Sequence, residues 1–454
     1  MKLRLFMVSA VAACAPTVSA VTPTEPLPVA EAPVGASARL VMTAETTPAT
    51  PAAPVPYGTA GGDSDQRALE AWRTRFIGKA VAAGVRRETA ERELANITVE
   101  KDALRYDGSQ PEYSTPAGLY IQRDTGDATV SRARAKAAEL SWLPEIERRY
   151  GVPGAIVVGI WRQESDLGAN TGNFDVVNTL ATLSALSQRA TPERTQTRRN
   201  DMEGYLISAL KAIDTGRLTR AQLRGSWAGA VGQVQFMPTH ILNLAVDGDG
   251  DGVVDVRGST RDAFHSAAVL LKRDGWRPGE GWHQEVTLPA GFDYDLVDGP
   301  GRTPAEWERL GVRRVDGGTW SQKDAAASAV LILPAGANGP AYLALPNHYV
   351  IRKYNGSVTS PHYAMTVGLL ADRLMGRPGP SKPWPAESRF KVDDVAAAQR
   401  ALTAMGYDTK GADGRIGPDT RAAVRAWQKA NGLIPDGYLT AALITRITAQ
   451  QRGG

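Results

Sequence analysis

One carboxyl group stands out by position. In the segment 150–170, YGVPGAIVVGIWRQESDLGAN, Pro153 sits where a helix would begin, and Ile156, Ile160 and Glu164 follow at four-residue steps, which places them on one helix face. A carboxyl in the last turn of an apolar helix loses part of its hydration. That disfavours its charged form and moves its titration towards working pH, as a general acid requires. The plain alternative is a solvated glutamate at a frayed helix end. A second segment, GSWAGAVGQVQFMP at 225–238, sets Gly225, Ala228, Gly229 and Gly232 around Trp227, Gln233, Gln235 and Phe236. Glycines at that density let a ligand or another backbone come close. Gln235 has the right groups to bond an acetamide or hydroxyl, and the aromatics could cover the apolar face of a sugar ring. Tight packing around a structural glutamine is the competing reading.

A third segment, DGDGDGVVDVRG at 247–258, puts Asp247, Asp249 and Asp251 at loop positions one, three and five and Gly252 at six. Val253 offers a carbonyl at seven and Asp255 a water-mediated contact at nine, the oxygen pattern of a Ca²⁺ loop. Gly258 stands at position twelve, where a bidentate glutamate belongs. The expectation is a structural rather than catalytic cation; the alternative is an acidic turn without metal.

These segments need a scaffold. Leu69, Trp72, Phe76, Ile77 and Val81 recur at helical steps, and further helices are predicted near 87–96, 127–149 and 362–375. Between about 284 and 352 short β-branched runs, 286–288, 329–333 and 349–351, predict a small sheet. The stretch 377–389, rich in Pro and Gly, reads as a linker, and 390–449 as a separate module of three helices, 392–405, 420–430 and 438–447, turned at Asp413-Gly414 and Asp436-Gly437. The opening MKLRLFMVSAVAACAPTVSA has the three-part layout of an export signal (1–20). Two processing routes stay open: cleavage after Ala20, or lipidation at Cys14, the chain's single cysteine. Residues 21–62, rich in Pro, Ala and Thr, read as a disordered tether.

With 52 Lys and Arg against 48 Asp and Glu, scattered along the chain, the charge pattern does not point to nucleic acid. No G-x-S-x-G elbow or phosphate-binding loop is present, and the histidines at 240, 265, 283, 348 and 362 lack metal-ligand spacing.

From about 68 to 376 the chain resembles the membrane-bound lytic murein transglycosylase B family, through IWRQESDLG (160–168), NTLATLSAL (178–186), 225–238, 247–276 and 347–365 with its Tyr354-Asn355 pair. The resemblance implies a mainly α (α+β) fold, a lysozyme-like helical catalytic core with a small β subdomain. It implies that Glu164 is the sole catalytic acid/base, that Ser226, Gln235, Tyr354, Asn355 and Tyr363 line a sugar cleft, and that Asp262 completes the Ca²⁺ loop. The implied chemistry is non-hydrolytic cleavage of the β-1,4 bond between N-acetylmuramic acid and N-acetylglucosamine in peptidoglycan, closing a 1,6-anhydro ring. An intramolecular hydroxyl needs no second carboxyl, and Asp166, two residues from Glu164, faces elsewhere on a helix. Gln233 departs from the family, which has an aromatic or His there, and Arg198 and Arg199 align loosely with its paired arginines. The C-terminal module resembles the three-helix peptidoglycan-binding domain through Ala398-Gln399, Asp413-Gly414, Trp427-Gln428 and Asp436-Gly437. The expected protein is a periplasmic monomer acting on glycan strands, anchored to the outer membrane if Cys14 is lipidated, with no cofactor in catalysis. A water-using, lysozyme-like hydrolase and a non-catalytic wall-binding scaffold are the rival readings.

Overall fold

The computed structural model describes residues 62–107, 115–189, 191–356 and 362–453. The export signal, Cys14 and the tether as far as residue 61 lie outside them. Among the described residues no helix is long and apolar enough to cross a membrane.

The predicted apolar steps produce a helical body. It begins with α1 (Gly62–Ala82), α2 (Arg87–Leu94), α3 (Lys101–Asp107), α4 (Ala117–Thr125), α5 (Asp127–Ala138), α6 (Pro144–Tyr150) and α7 (Gly154–Ser165). The continuous helix expected over 127–149 is two, because Pro144 at the first turn of α6 lacks the N–H that a continuing helix would use. After a two-residue ribbon of β1 (Phe174–Asp175) on β2 (Arg224–Gly225), which brackets α8 (Val176–Leu186) and α9 (Pro192–Asp214), come α10 (Pro238–Leu244) and α11 (Thr260–Arg273). Leu69, Phe76, Ile121, Ile160, Leu180, Phe236, Phe264 and Leu370 belong to the single large core these helices enclose.

The β subdomain is one antiparallel sheet of β3 (His283–Thr287), β4 (Arg313–Arg314), β5 (Val330–Ile332) and β6 (Ala341–Ala344), in the order β4-β3-β6-β5. Helices α12 (Pro304–Arg309) and α13 (Gln322–Ala325) lie in its connections, and Trp307 is fully buried in its core. The run 349–351, read as a strand, lies inside α14 (Pro346–Tyr354). Pro346 starts that helix, and Asn347, Val350, Ile351 and Tyr354 form a buried stripe at helical spacing that outweighs the β-branched types. Helix α15 (His362–Leu374) then returns through the body.

The stretch 377–389 is tied down rather than loose. Arg377 pairs with Asp372 at 2.8 Å, Ser381 donates twice to Glu285, and Trp384 packs on the main core. Beyond it lie α16 (Val392–Ala404), α17 (Pro418–Ala430) and α18 (Ala441–Gly453) around a fully buried Trp427. The two Asp-Gly turns are held by the same device. Gln399 accepts from Gly414 N at 2.8 Å and donates to Arg415 O at 2.9 Å; Gln428 accepts from Gly437 N and donates to Asp436 Oδ1, both at 2.8 Å. The module sits on the body through Arg421 with Asp298 (2.8 Å), Ala337 N donating to Asp436 (2.9 Å), and Tyr438 donating to Glu387 (2.9 Å). Replacing Gln399 by Ala leaves the buried Gly414 N–H without its acceptor. It is expected to destabilise the module by about 1–3 kcal/mol, read from urea denaturation of the full chain.

Candidate active site

Helix α7 is buried on nearly every side, so its end can carry Glu164 into the interior at 1% exposure. The helix stops abruptly: Asp166, Leu167 and Gly168 all take positive φ (52°, 60° and 85°). Left-handed backbone is costly for side chains other than glycine and persists only where its surroundings enforce it. Of the five described non-glycine residues with positive φ, three are Asp166, Leu167 and Gln235. The strain is therefore concentrated around Glu164 and its facing loop.

An ionic network holds this terminus. Arg162 pairs with Asp124 at 2.7 Å, with both side chains buried, and reaches Asp166 at 3.3 Å. Asp166 is gripped a second time by Arg132, and Asp124 by Arg123 at 2.8 Å. The carboxylate nearest to Glu164 in sequence is thus committed to guanidinium partners. On α15, which packs along α7, Tyr363, 4% exposed, donates its hydroxyl to Glu164 Oε1 at 2.7 Å.

The loop 225–238 is fastened through two adjacent carbonyls, one to the end of α7 and one to α14. Ser165 Oγ donates to Gln233 O at 2.6 Å, and Tyr354 Oη donates to Val234 O at 3.0 Å. Those bonds present Gln235, whose amide nitrogen donates to Gly232 O (2.7 Å) and Thr171 O (3.3 Å). Ser226 Oγ accepts from Ala230 N at 3.1 Å and closes the preceding turn, and Asn355 is the half-buried C-cap of α14. The glycines serve backbone approach: a Cβ on Gly225 would lie 2.0 Å from Ala230 O, and one on Gly232 would lie 2.3 Å from Val256 O. Trp227 and Phe236, expected to cover a sugar face, are instead 1% and 0% exposed within the core, because the loop folds over its own aromatics.

The loosely aligned arginines have internal partners. Arg198 and Arg189 both pair with Asp107, at 2.9 and 2.6 Å, and Arg199 donates to Ser187 O at 2.9 Å. Burial pushes Asp107 upward, but the hydrogen bond from Arg189 and the charges of Arg198 and Arg189 outweigh it and hold the carboxyl below its usual range.

In the acidic loop, carboxylate oxygens of Asp247, Asp249 and Asp251 lie within 4.8 Å of one another. The hydrogen bond from Ser259 lowers the pKa of Asp249 and so favours its carboxylate. This all-oxygen donor set on an open loop fits a hard cation such as Ca²⁺. Asp262 stands apart from that group. It is fully buried, accepting from Gly248 N (2.8 Å), Asp249 N (3.3 Å) and Asp255 N (2.7 Å), so it shapes the loop from within; Val253 donates its N–H to Asp251. Gln233 ties this loop to the site: it donates to Arg257 O at 3.2 Å and accepts from Thr260 Oγ1 at 3.1 Å.

Residues 68–372 match the family described as "Transglycosylase SLT domain", more than half of the chain. This chain belongs to that family. Residues 391–447 of this SLT-domain protein match a second family, "Putative peptidoglycan binding domain". Membrane-bound lytic murein transglycosylase B of Escherichia coli (strain K12) is 33% identical over 234 residues, 50% of this chain and 58% of that protein, so the chain matches little more than half of that relative's length. SltB3 from Pseudomonas aeruginosa, solved in complex with NAG-anhNAM-pentapeptide, is 38% identical with a TM-score of 0.76, covering 84% of this chain and 99% of SltB3. The Escherichia coli lytic transglycosylase Slt35, solved in complex with calcium, is 26% identical with a TM-score of 0.52, covering 68% and 93% of the respective chains.

Tyr363 and Glu164 are in direct contact, and Tyr354 bonds the loop that carries Gln235 at Val234 O. The supporting ions, Asp124, Arg132 and Arg162, were missed. A charged Arg162 inside an apolar helix signals a buried counter-charge, but nothing in local spacing identifies Asp124 as that partner. Asp124→Ala would leave Arg162 buried with its main counter-ion gone. It is expected to cost about 3–5 kcal/mol in chemical denaturation.

Proposed function

We propose that this SLT-domain chain is a lytic murein transglycosylase that cleaves the β-1,4 bond between N-acetylmuramic acid and N-acetylglucosamine of peptidoglycan, with Glu164 as the single general acid/base. The observation that carries the reading is the buried Glu164 carboxyl, bonded to Tyr363 at 2.7 Å, with the neighbouring Asp166 tied up by arginines. SltB3, similar to this chain over nearly its whole length, was solved with NAG-anhNAM-pentapeptide, which gives further support.

The residues account for each step. Glu164 is buried, and since Oε1 accepts from Tyr363 the proton that the acid form donates is the one on Oε2. Oε2 passes it to the bridging oxygen as the muramyl C1–O bond breaks, and the substrate's acetamido oxygen stabilises the developing cation. The carboxylate so formed keeps its bond from Tyr363, takes the C6 hydroxyl proton, and O6 closes on C1. No water enters, so substrate and products balance in mass. Gln235 commits its amide N–H groups to Gly232 and Thr171, and its oxygen is the atom that receives a sugar N–H or hydroxyl. Ser226, Asn355 and Tyr354 shape the cleft wall; the hydroxyl of Tyr354 acts through Val234 O rather than on substrate.

Purified chain incubated with sacculi is expected to release 1,6-anhydro-muropeptides. Glu164→Gln should reduce release by about 10³-fold or more while leaving sacculus binding intact. Mass spectrometry of the digest decides the chemistry: fragments carrying an added water assign a hydrolase, and no fragments from folded protein assign a scaffold.

Asp247, Asp249 and Asp251 would hold a structural Ca²⁺, with Val253 supplying a carbonyl and Asp262 ordering the loop. Similarity to Slt35, solved with calcium, supports this. Adding Ca²⁺ should raise the melting temperature of the chelator-treated protein, and Asp249→Ala should remove that response. A periplasmic location, with or without a lipid on Cys14, and action as a monomer complete the reading. The C-terminal module would hold the enzyme on the wall.

A further inference from the structure

The contact between Glu164 and Tyr363 joins two helices, and a hydrogen bond of 2.7 Å tolerates little change in their separation. Helices α7 and α15 pack along each other. Five residues before Glu164, α7 carries Gly159; four residues after Tyr363, α15 carries Val367. These two meet. A Cβ built on Gly159 would lie 2.6 Å from Val367 O and 3.1 Å from Val367 Cγ1, so the α7 glycine lies directly against the backbone of α15. At about 1.5 Å rise per residue, five steps forward along one helix and four back along the other bring the chain from this contact to the Glu164–Tyr363 pair.

Helix α15 is also blocked from another side. A Cβ on Gly368 would lie 2.4 Å from the Trp282 indole, which begins the β subdomain. That indole is 3% exposed, stacks on His283 at 3.6 Å, and donates to Asp372 Oδ2 at 3.2 Å. Asp372 is held in turn by Arg377 at 2.8 Å. Trp282 therefore has no room to give way, and α15 is held between the β subdomain and α7 through two positions with no side chain.

We propose that Gly159 is a positioning residue for the reaction: its bare contact with Val367 sets the spacing of α7 and α15 that keeps the Tyr363 hydroxyl on Glu164. The spacing is read out at Tyr363, whereas the loop 225–238 takes its own hydrogen bonds from Ser165 of α7 and Tyr354 of α14 rather than from α15.

The inference rests on the proposed transglycosylase reaction, and its test is a double-mutant cycle in the full-length chain, read as anhydro-muropeptide release from sacculi, together with a crystal structure of the Gly159→Ala variant. Gly159→Ala is expected to lower kcat by about 10–100-fold with KM nearly unchanged, since a displacement of about 1 Å at reacting groups costs that much. In a Tyr363→Phe background the same substitution should cost less than about 3-fold more, because the bond it disturbs is already gone. In the crystal, the separation of Tyr363 Oη and Glu164 Oε1 should exceed about 3.2 Å. Multiplying effects, a rise in KM with kcat intact, or an unchanged separation would each overturn the proposal. Where Gly159→Ala does not fold, Val367→Ala, which trims the Cγ1 contact without a clash, goes through the same cycle and must show the same non-additivity. Failure of wild-type chain to release anhydro products counts against the reaction instead, and the crystallographic separation still decides the role of Gly159.

Discussion

A carboxyl group can be withdrawn from water only if the helix that bears it enters the core and stops there. Helix α7 meets both conditions: its apolar faces are covered almost completely, and three successive left-handed residues end it one residue after Glu164. The termination opposes the intrinsic preference of Asp166 and Leu167, so it depends on what surrounds it. Arg162 and Asp124 supply that support from the interior, where each ion would be unstable without its partner, and Arg132 holds Asp166 from the surface. The rest of the molecule is arranged around this one helix end.

Three other parts converge on it by different routes. The loop 225–238 is fastened to α7 through Ser165 and to α14 through Tyr354, so the position of Gln235 follows from the backbone carbonyls on which those hydroxyls rest. The acidic loop reaches the same place through Gln233, which bonds Arg257 and Thr260 at its exit. An order-promoting cation in that loop would thus be felt at the site without touching substrate. The β subdomain acts through Trp282, which holds α15 and with it Tyr363. The C-terminal module, its Asp-Gly turns locked by Gln399 and Gln428, is fixed to the body by its own hydrogen bonds and by the pinned stretch 377–389.

Much of this was readable in advance where the signal is local. Four-residue steps of isoleucine pointed at Glu164, alternate aspartates marked the acidic loop, and two Asp-Gly turns between helical patterns outlined the module. Reading failed where long-range packing decides. The run 349–351 has strand-forming residue types but lies on a helix whose buried stripe faces the core, and a proline divided the helix expected over 127–149. Trp227 and Phe236 were placed by type against a sugar and are in the core, because the loop that carries them is closed on itself by its glycines.

By itself, the order of residues singled out Glu164 as the candidate acid, the helix that bears it, and the acidic loop and turn-bounded helices around it, since periodicity, turn chemistry and oxygen-donor spacing act within a few residues of one another. Only the tertiary structure decided that Tyr363 donates to Glu164, that Asp124 balances Arg162, that Asp262 serves the backbone of its loop, and that Gly159 lies against Val367. Those pairs are separated by up to about two hundred residues, and a hydrogen bond or a close backbone contact depends on tenths of an ångström that no local pattern encodes.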